Sequence, residues 1–360
     1  MQPIPLTFVK REAPPWSTGT VASPNGPVYR VSPDWSGADF WGMVKSRTGA
    51  FRMNYSVPPG LYAMGDPVKE SEVFVTANYK LTFDILRREL KDLDAWILVL
   101  DTKSINVWCA AGKGTFGTEE LIRRVSSVKL DQVVSHRRLI LPQLGAVGVS
   151  SGEVQKRTGF RVSYGPVEAS DIPAYLAAGC RKTPEMSLMK FTLSDRLVLT
   201  PMELNPAMKK FPWIAAAILL VFGLQPSGIL FRPAWSNGLP FLVLALVALV
   251  SGALVTPALL PFIPFRSFAV KGWIVGLLLI FLALTSGLAT VQGPLLVAAI
   301  YALFPALSSY IALQFTGATT FTGMTGVKKE LKFALPIDIT IAGAALVLLA
   351  LFKLKEWGLV

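Results

Sequence analysis

Apolar and polar positions along this chain follow two regimes that meet near residue 210. Before that point, short apolar runs alternate with charged, amphipathic stretches. After it, apolar runs recur at about 20 residues, the length of helix that crosses a bilayer core. Within the first regime, residues 73–77 read as a short buried strand, 81–93 as a helix with its charges on one face, and 95–101 as a second apolar strand. A helix from about Glu119, a strand at 138–141, a helix opened by the capping box Ser150-Ser151-Gly152-Glu153 and a strand at 160–164 continue the alternation. A last helix is capped by Ser170, with Pro173 in its first turn and Gly179 just past its end. Strand alternating with helix predicts an α/β domain with a parallel, Rossmann-like sheet over residues 71–205.

Residues 1–70 show neither period and are rich in Pro, Gly, Trp and Tyr, as in Pro14-Pro15-Trp16 and Pro58-Pro59-Gly60, so they are expected to form an extended segment packed on that domain. Residues 206–360 read as an all-α transmembrane domain with five spans, at about 211–230, 239–263, 273–291, 295–315 and 335–352. Pro257, Pro261, Pro264 and Pro294 mark either helix ends at the interface or broken helices around a site. The spans hold almost no ionisable side chain, Asp338 lying near one end, which favours an anchor over a proton-coupled transporter.

Charge sharpens the division. Only eight of the 35 Lys and Arg and three of the 23 Asp and Glu lie beyond Lys210, which leaves the first part near +7. Its basic residues are scattered singly and carry no nucleic-acid module signature, so no nucleic-acid partner is expected and anionic lipid is the better match. Lys209, Lys210, Arg266, Lys271, Lys328, Lys329 and Lys332 would share one side of the membrane against Arg232, Lys353 and Lys355 on the other. Positive-inside bias then predicts a multi-pass protein of the cytoplasmic membrane with its soluble part in the cytoplasm. Residues 1–10 hold no long apolar core, so no signal peptide is expected.

Two cysteines and one histidine bound the metal chemistry, because a [4Fe–4S] cluster takes four thiolates and a structural zinc site four ligands. No iron–sulfur cluster is expected in this chain, and an electron donor must be another protein. Cys109 and Cys180 fit neither a disulfide framework nor a CxxC pair, which points to a reducing compartment.

In open α/β sheets ligands sit beyond the carboxyl ends of the strands, here the loops after Ala77, Asp101 and Leu141. The second loop carries Asn106-Val107-Trp108-Cys109-Ala110-Ala111-Gly112-Lys113. Asn106 can cap a short helix with Cys109 in its first turn, where the helix dipole and Lys113 would favour thiolate. Ala110, Ala111 and Gly112 would let a flat, bulky ligand approach the backbone. A small buried hydrophobe remains the other account of a lone Cys after a strand. A phosphate loop does not fit Gly112-Lys113-Gly114, since Val107 stands where its first Gly belongs and Gly114 where Ser or Thr belongs. Thr76, Asn78 and Thr102 stand at neighbouring strand ends, and the backbone N–H groups of Gly114, Thr115 and Gly117 are candidates for the nucleotide tail of a cofactor. His136 is a structural residue or a cofactor contact, and Cys180 a packed thiol or a soft-metal relay.

The octet from Asn106 to Lys113 resembles the cap-helix motif of the corrinoid proteins of microbial mercury methylation, the HgcA family. Val75-Thr76-Ala77-Asn78-Tyr79-Lys80, Gly60-Leu61-Tyr62 and the five-span tail extend the resemblance over nearly the whole chain. The soluble part is also similar to the corrinoid-binding domain of the corrinoid iron–sulfur protein of the acetyl-CoA pathway, without that relative's four-cysteine cluster domain. The resemblance implies a cobalamin-type corrinoid seated over the cap helix with the Cys109 thiolate on cobalt. It further implies methylation of Co(I) by a methyl-folate-type donor, transfer of the methyl group to Hg(II), and reduction by a ferredoxin-like protein with two [4Fe–4S] clusters. The rival reading is a membrane-bound corrinoid methyl carrier of one-carbon and acetyl-CoA metabolism, and a further one is a transporter or sensor with a ligand-binding α/β domain.

Overall fold

The two most apolar short runs, Val73–Ala77 and Ala95–Leu100, lie side by side as a parallel pair inside a seven-stranded sheet, every residue of both buried. This computed structural model describes residues 13–319, 321–322 and 324–359, and its contacts divide the chain into Met1–Met189 and Lys190–Val360. Residues 1–12, which include the stretch weighed for a signal peptide, lie outside the described residues.

In the first unit the strands are β1 (Ser17–Val21), β2 (Val28–Val31), β3 (Gly60–Met64), β4 (Val73–Ala77), β5 (Ala95–Leu100), β6 (Arg138–Leu141) and β7 (Arg161–Tyr164). Their spatial order is β1-β2-β3-β5-β4-β6-β7, with β5, β4, β6 and β7 parallel and β3 antiparallel to β5. The helices are α1 (Gly37–Ser46), α2 (Lys80–Glu89), α3 (Val107–Lys113), α4 (Thr118–Ser127), α5 (Leu130–Val133), α6 (Ser151–Thr158) and α7 (Ile172–Ala177). Residues of α3, α4, α5 and α6 pack on one face of the sheet, those of α2 and α7 on the other. Helices on both faces explain why β4 and β5 read as continuous apolar runs rather than alternating ones. After β4 the chain steps to β5, then crosses back over β4 to β6, so the order reverses between β4 and β6.

Residues 17–64 depart from the expected extended segment: they add β1, β2 and β3 to the sheet and contribute α1, capped by a reciprocal Ser36–Asp39 box. Short strands broken by Pro and Gly leave no period for a sequence window to detect. That segment also covers α2, the helix whose charges fall on one face. Lys80, Asp84 and Arg87 are buried. Lys80 Nζ lies 2.6 Å from Asp39 Oδ1 and 2.7 Å from Asp84 Oδ2, while Arg87 pairs with Asp84 at 2.8 Å and Asp39 at 2.9 Å. The expected Ser170 cap is also displaced: Ala169–Asp171 form a 3-10 turn, and Asp171 precedes α7.

The second unit is helical: α8 (Leu193–Gly223), a hairpin of β8 (Leu224–Gln225) and β9 (Gly228–Ile229), α9 (Phe231–Val250), a π turn (Ser251–Val255), α10 (Thr256–Leu259), α11 (Phe268–Thr285), α12 (Pro294–Gln314) and α13 (Met324–Glu356). Among the described residues five helices are long and apolar enough to cross a membrane: Leu193–Gly223, Phe231–Leu259, Phe268–Thr285, Pro294–Gly317 and Thr325–Glu356. The first of these ends at Gly223 rather than near 230, because the β8–β9 hairpin interrupts the apolar run. Pro294 opens α12 and Pro257 opens α10 directly after the π turn.

Candidate functional site

Asn106 Oδ1 accepts the backbone N–H of Cys109 at 3.1 Å, so the expected cap of α3 is present. Gly114 closes the helix at φ +79°, a left-handed backbone that glycine adopts without a steric penalty. The loop leading into α3 is strained, since Lys103 and Ser104 both have φ near +60°. Asn78 Oδ1 holds it by accepting from Thr102 N at 3.0 Å, Thr102 Oγ1 at 2.9 Å and Ser104 N at 3.0 Å. Asp101 adds a bond from Lys103 N at 3.1 Å, and Lys103 draws its carboxyl below the usual range against the opposing effect of burial. Asn78 and Thr102 therefore position the start of α3.

Val107, Ala110 and Ala111 are buried in the sheet-facing core. The smallness of Ala110 and Ala111 thus serves packing, not the approach of a flat ligand. Gly148 lies directly against Ala111, and a Cβ at Gly148 would stand 3.0 Å from the Ala111 Cα and would overlap the Phe116 carbonyl. Exposed or half-buried residues of α3 are Trp108, Cys109, Gly112 and Lys113. Cys109 and Lys113 are one turn apart, and a Cβ built on Gly112 meets no atom within 4 Å, so this side is open to a planar ligand.

Against expectation, the Cys109 thiol is pushed above its ordinary pKa. Burial of the sulfur outweighs the positive charges of Arg52 and Lys113, and one turn of helix does not reverse the balance. The backbone N–H groups of Gly114 and Thr115, weighed as donors to a cofactor tail, already donate to the Ala111 and Ala110 carbonyls at 3.2 and 2.9 Å. Thr115 Oγ1 lies 3.4 Å from both the Thr102 and Ala110 carbonyls.

Between the carboxyl ends of β4 and β6, where the strand order reverses, lies a cleft of ≈ 230 Å³. Thr76, Asn106, Val107 and Trp108 line it with Pro142 and Gly165. A reversal of strand order is where open α/β sheets place ligands. The cleft thus joins four of the expected residues, while Cys109, Gly112 and Lys113 occupy the open side of the same helix. Arg52, close enough to act on the Cys109 charge, escaped the sequence reading because no periodic element surrounds it.

His136 precedes the amino end of β6, away from this loop. Its Nδ1 accepts from Arg138 N at 3.2 Å and its Nε2 lies 2.9 Å from the Ser71 carbonyl, which makes it a structural residue. Cys180, at φ +61°, packs against the opposite core from α3.

The family model described as CO dehydrogenase/acetyl-CoA synthase delta subunit matches residues 51–176, the stretch that holds β3 to β7 and all of α3. The acetyl-CoA decarbonylase/synthase complex subunit gamma of Methanopyrus kandleri is 34% identical over 122 residues, 33% of this chain and 26% of the relative. The corrinoid/iron-sulfur protein large subunit of Moorella thermoacetica is 34% identical over 120 residues, with the same coverage of each chain. Its sheet unit is similar to a corrinoid protein. The chain matches about a quarter of the length of these relatives.

Proposed function

We infer that this chain is a membrane-held corrinoid protein that carries a methyl group for one-carbon chemistry, with Cys109 as a cobalt ligand. The similarity of residues 51–176 to subunits of acetyl-CoA-forming complexes carries this inference, because the same stretch contains the Cys109 helix and the cleft beside it. A bound corrinoid would supply a cobalt able to accept and release a methyl group.

The protein's own residues would then have distinct tasks. Asn106 fixes the first turn of α3 and with it the Cys109 side chain. Gly112 keeps the helix face clear for a ring, and Thr76, Val107 and Trp108 line the cleft. The proton on the Cys109 sulfur must leave as the metal binds, so ligation becomes weaker as pH falls. Lys113 and Arg52 favour the thiolate that remains. A four-thiolate cluster needs more cysteines than the two in this sequence, so the electron donor would be a separate iron–sulfur protein of the ferredoxin type. The membrane helices hold the sheet unit at the cytoplasmic face, as the distribution of Lys and Arg favours.

The acceptor distinguishes two versions of this role. Transfer into acetyl-CoA metabolism fits the relatives' names. Transfer to Hg(II) is favoured by one feature, the Asn106–Lys113 octet with a soft sulfur ligand, which resembles the mercury-methylating family. Full-length protein charged with labelled methyl from a methyl-folate donor is to be offered Hg(II) or a nickel-enzyme acceptor in parallel. Release of labelled methylmercury assigns the second version, and transfer to the nickel enzyme alone assigns the first. No label on the protein at all would remove both.

A further inference from the structure

The helical unit contains a second site that the corrinoid role does not use. Beside the start of α11, a cavity of ≈ 820 Å³ is lined by Arg266, Lys271 and Lys329, with Phe265, Phe268 and Phe333 on its walls. Its one acidic lining residue, Glu330, is already engaged: Oε2 accepts from Phe268 N at 2.8 Å, Ala269 N at 3.3 Å and Ser267 Oγ at 3.2 Å. Glu330 therefore caps α11 and offsets only one of the three positive charges.

Lys271 is the telling member. It is only 8% exposed, and among the described residues its ammonium has a single hydrogen bond, to the Leu260 carbonyl, and no carboxylate within ion-pair distance. An ammonium carries three donors, and burying it with no carboxylate in direct contact is costly, since Glu330 acts on it only from beyond ion-pair distance. Arg266 and Lys329 likewise make no ion pair among the described residues, though both are exposed. One carboxylate thus faces three cations, which leaves the cavity positively charged and able to take a further anion.

Position within the unit narrows the kind of anion. Arg196 of α8 donates to the Pro257 and Ala258 carbonyls, and the Phe191 and Phe321 rings meet at 5.6 Å, so this cavity lies at the end of the bundle where α8 begins. At that end, cations stand next to the outward-facing rings of Phe265 (49% exposed) and Phe333 (58% exposed), at the mouth of helices long enough to cross a bilayer. Basic pockets between membrane helices with apolar walls match a phosphate that carries acyl chains.

We propose that Arg266, Lys271 and Lys329 hold the phosphate of an anionic phospholipid, whose chains run along the neighbouring phenylalanines. The test uses full-length protein in detergent, titrated with fluorescent phosphatidylglycerol or phosphatidylcholine, with inorganic phosphate added as a competitor. Phosphatidylglycerol is expected to bind at least about tenfold more tightly than phosphatidylcholine. Arg266→Gln/Lys329→Gln, both exposed positions, should abolish that preference while leaving the helical circular dichroism unchanged. Inorganic phosphate at millimolar concentration should displace little of the lipid. Equal binding of the two lipids, an unchanged preference in the double variant, or full displacement by inorganic phosphate would each overturn the assignment. Corrinoid uptake by the double variant should match that of the unaltered protein, which separates failure here from failure of the proposed methyl-carrying role.

Discussion

Asn106 Oδ1 and Cys109 N, 3.1 Å apart, fix the first turn of a seven-residue helix whose open side carries the sulfur. So short a helix has little stability of its own. Asn106→Ala should cost about 1 kcal/mol and loosen the Cys109 side chain, while Asn106→Ser should restore most of the loss. Thermal unfolding of both variants, with corrinoid retention on a desalting column, checks this. Equal retention by Asn106→Ala and the unaltered protein would show that the cap does not position the sulfur.

Asn78 reaches the same helix from the neighbouring strand. One oxygen accepts three bonds from a loop with two left-handed non-glycine residues. Asn78→Ala should destabilise the sheet unit by about 2 kcal/mol, because buried donors lose their acceptor. Hydrogen exchange should show faster exchange at residues 102–106 with β4 and β5 still protected.

The buried group of Asp39, Lys80, Asp84 and Arg87 gives the sheet unit an acid limit. Burial raises the Asp39 carboxyl, but the Lys80 ammonium and the Ser36 donors overcome it and hold the group well below the usual carboxylate range. A carboxylate with a depressed folded pKa adds stability above its unfolded value, about pH 4, and loses it as pH falls toward the folded value. Unfolding should therefore become easier below about pH 4. Asp39→Asn should cost about 3 kcal/mol at pH 7 and flatten that acid dependence, as denaturant titrations at pH 7 and 3.5 would reveal.

Sequence pattern located β4, β5, β6 and β7, α3 with its Asn106 cap, and the left-handed glycine after α7, because each depends on residues close together in the chain. Residues 17–64 were opaque: β1 pairs locally with β2, but β2 and β3 are held in the sheet by strands distant in sequence, and the proline-rich stretches around them carry no period. The same long-range contact buries Lys80, Asp84 and Arg87 on the charged face of α2, a burial that local pattern does not register. At the site, the residue types of the 106–113 octet single out Cys109 as a candidate but not the direction of each side chain. Ala110 and Ala111 face the core, and burial sets the Cys109 thiol pKa.

In protein free of corrinoid, Cys109 should behave as a slow thiol. With Cys180→Ala removing the other sulfur, alkylation by iodoacetamide should rise with pH along a curve whose midpoint lies above that of an ordinary cysteine, since burial disfavours the thiolate. Bound corrinoid should protect it. Rapid alkylation at neutral pH would contradict the burial of the sulfur.

The proposed bond between the Cys109 sulfur and cobalt is open to one direct measurement, the electronic spectrum of the protein reconstituted with a cobalamin-type corrinoid, taken beside Cys109→Ala. The unaltered protein is expected to bind the corrinoid with cobalt bands displaced from those of the free cofactor, and the variant to lose that displacement. A protein that stays colourless, or identical spectra from the two proteins, would contradict ligation by Cys109.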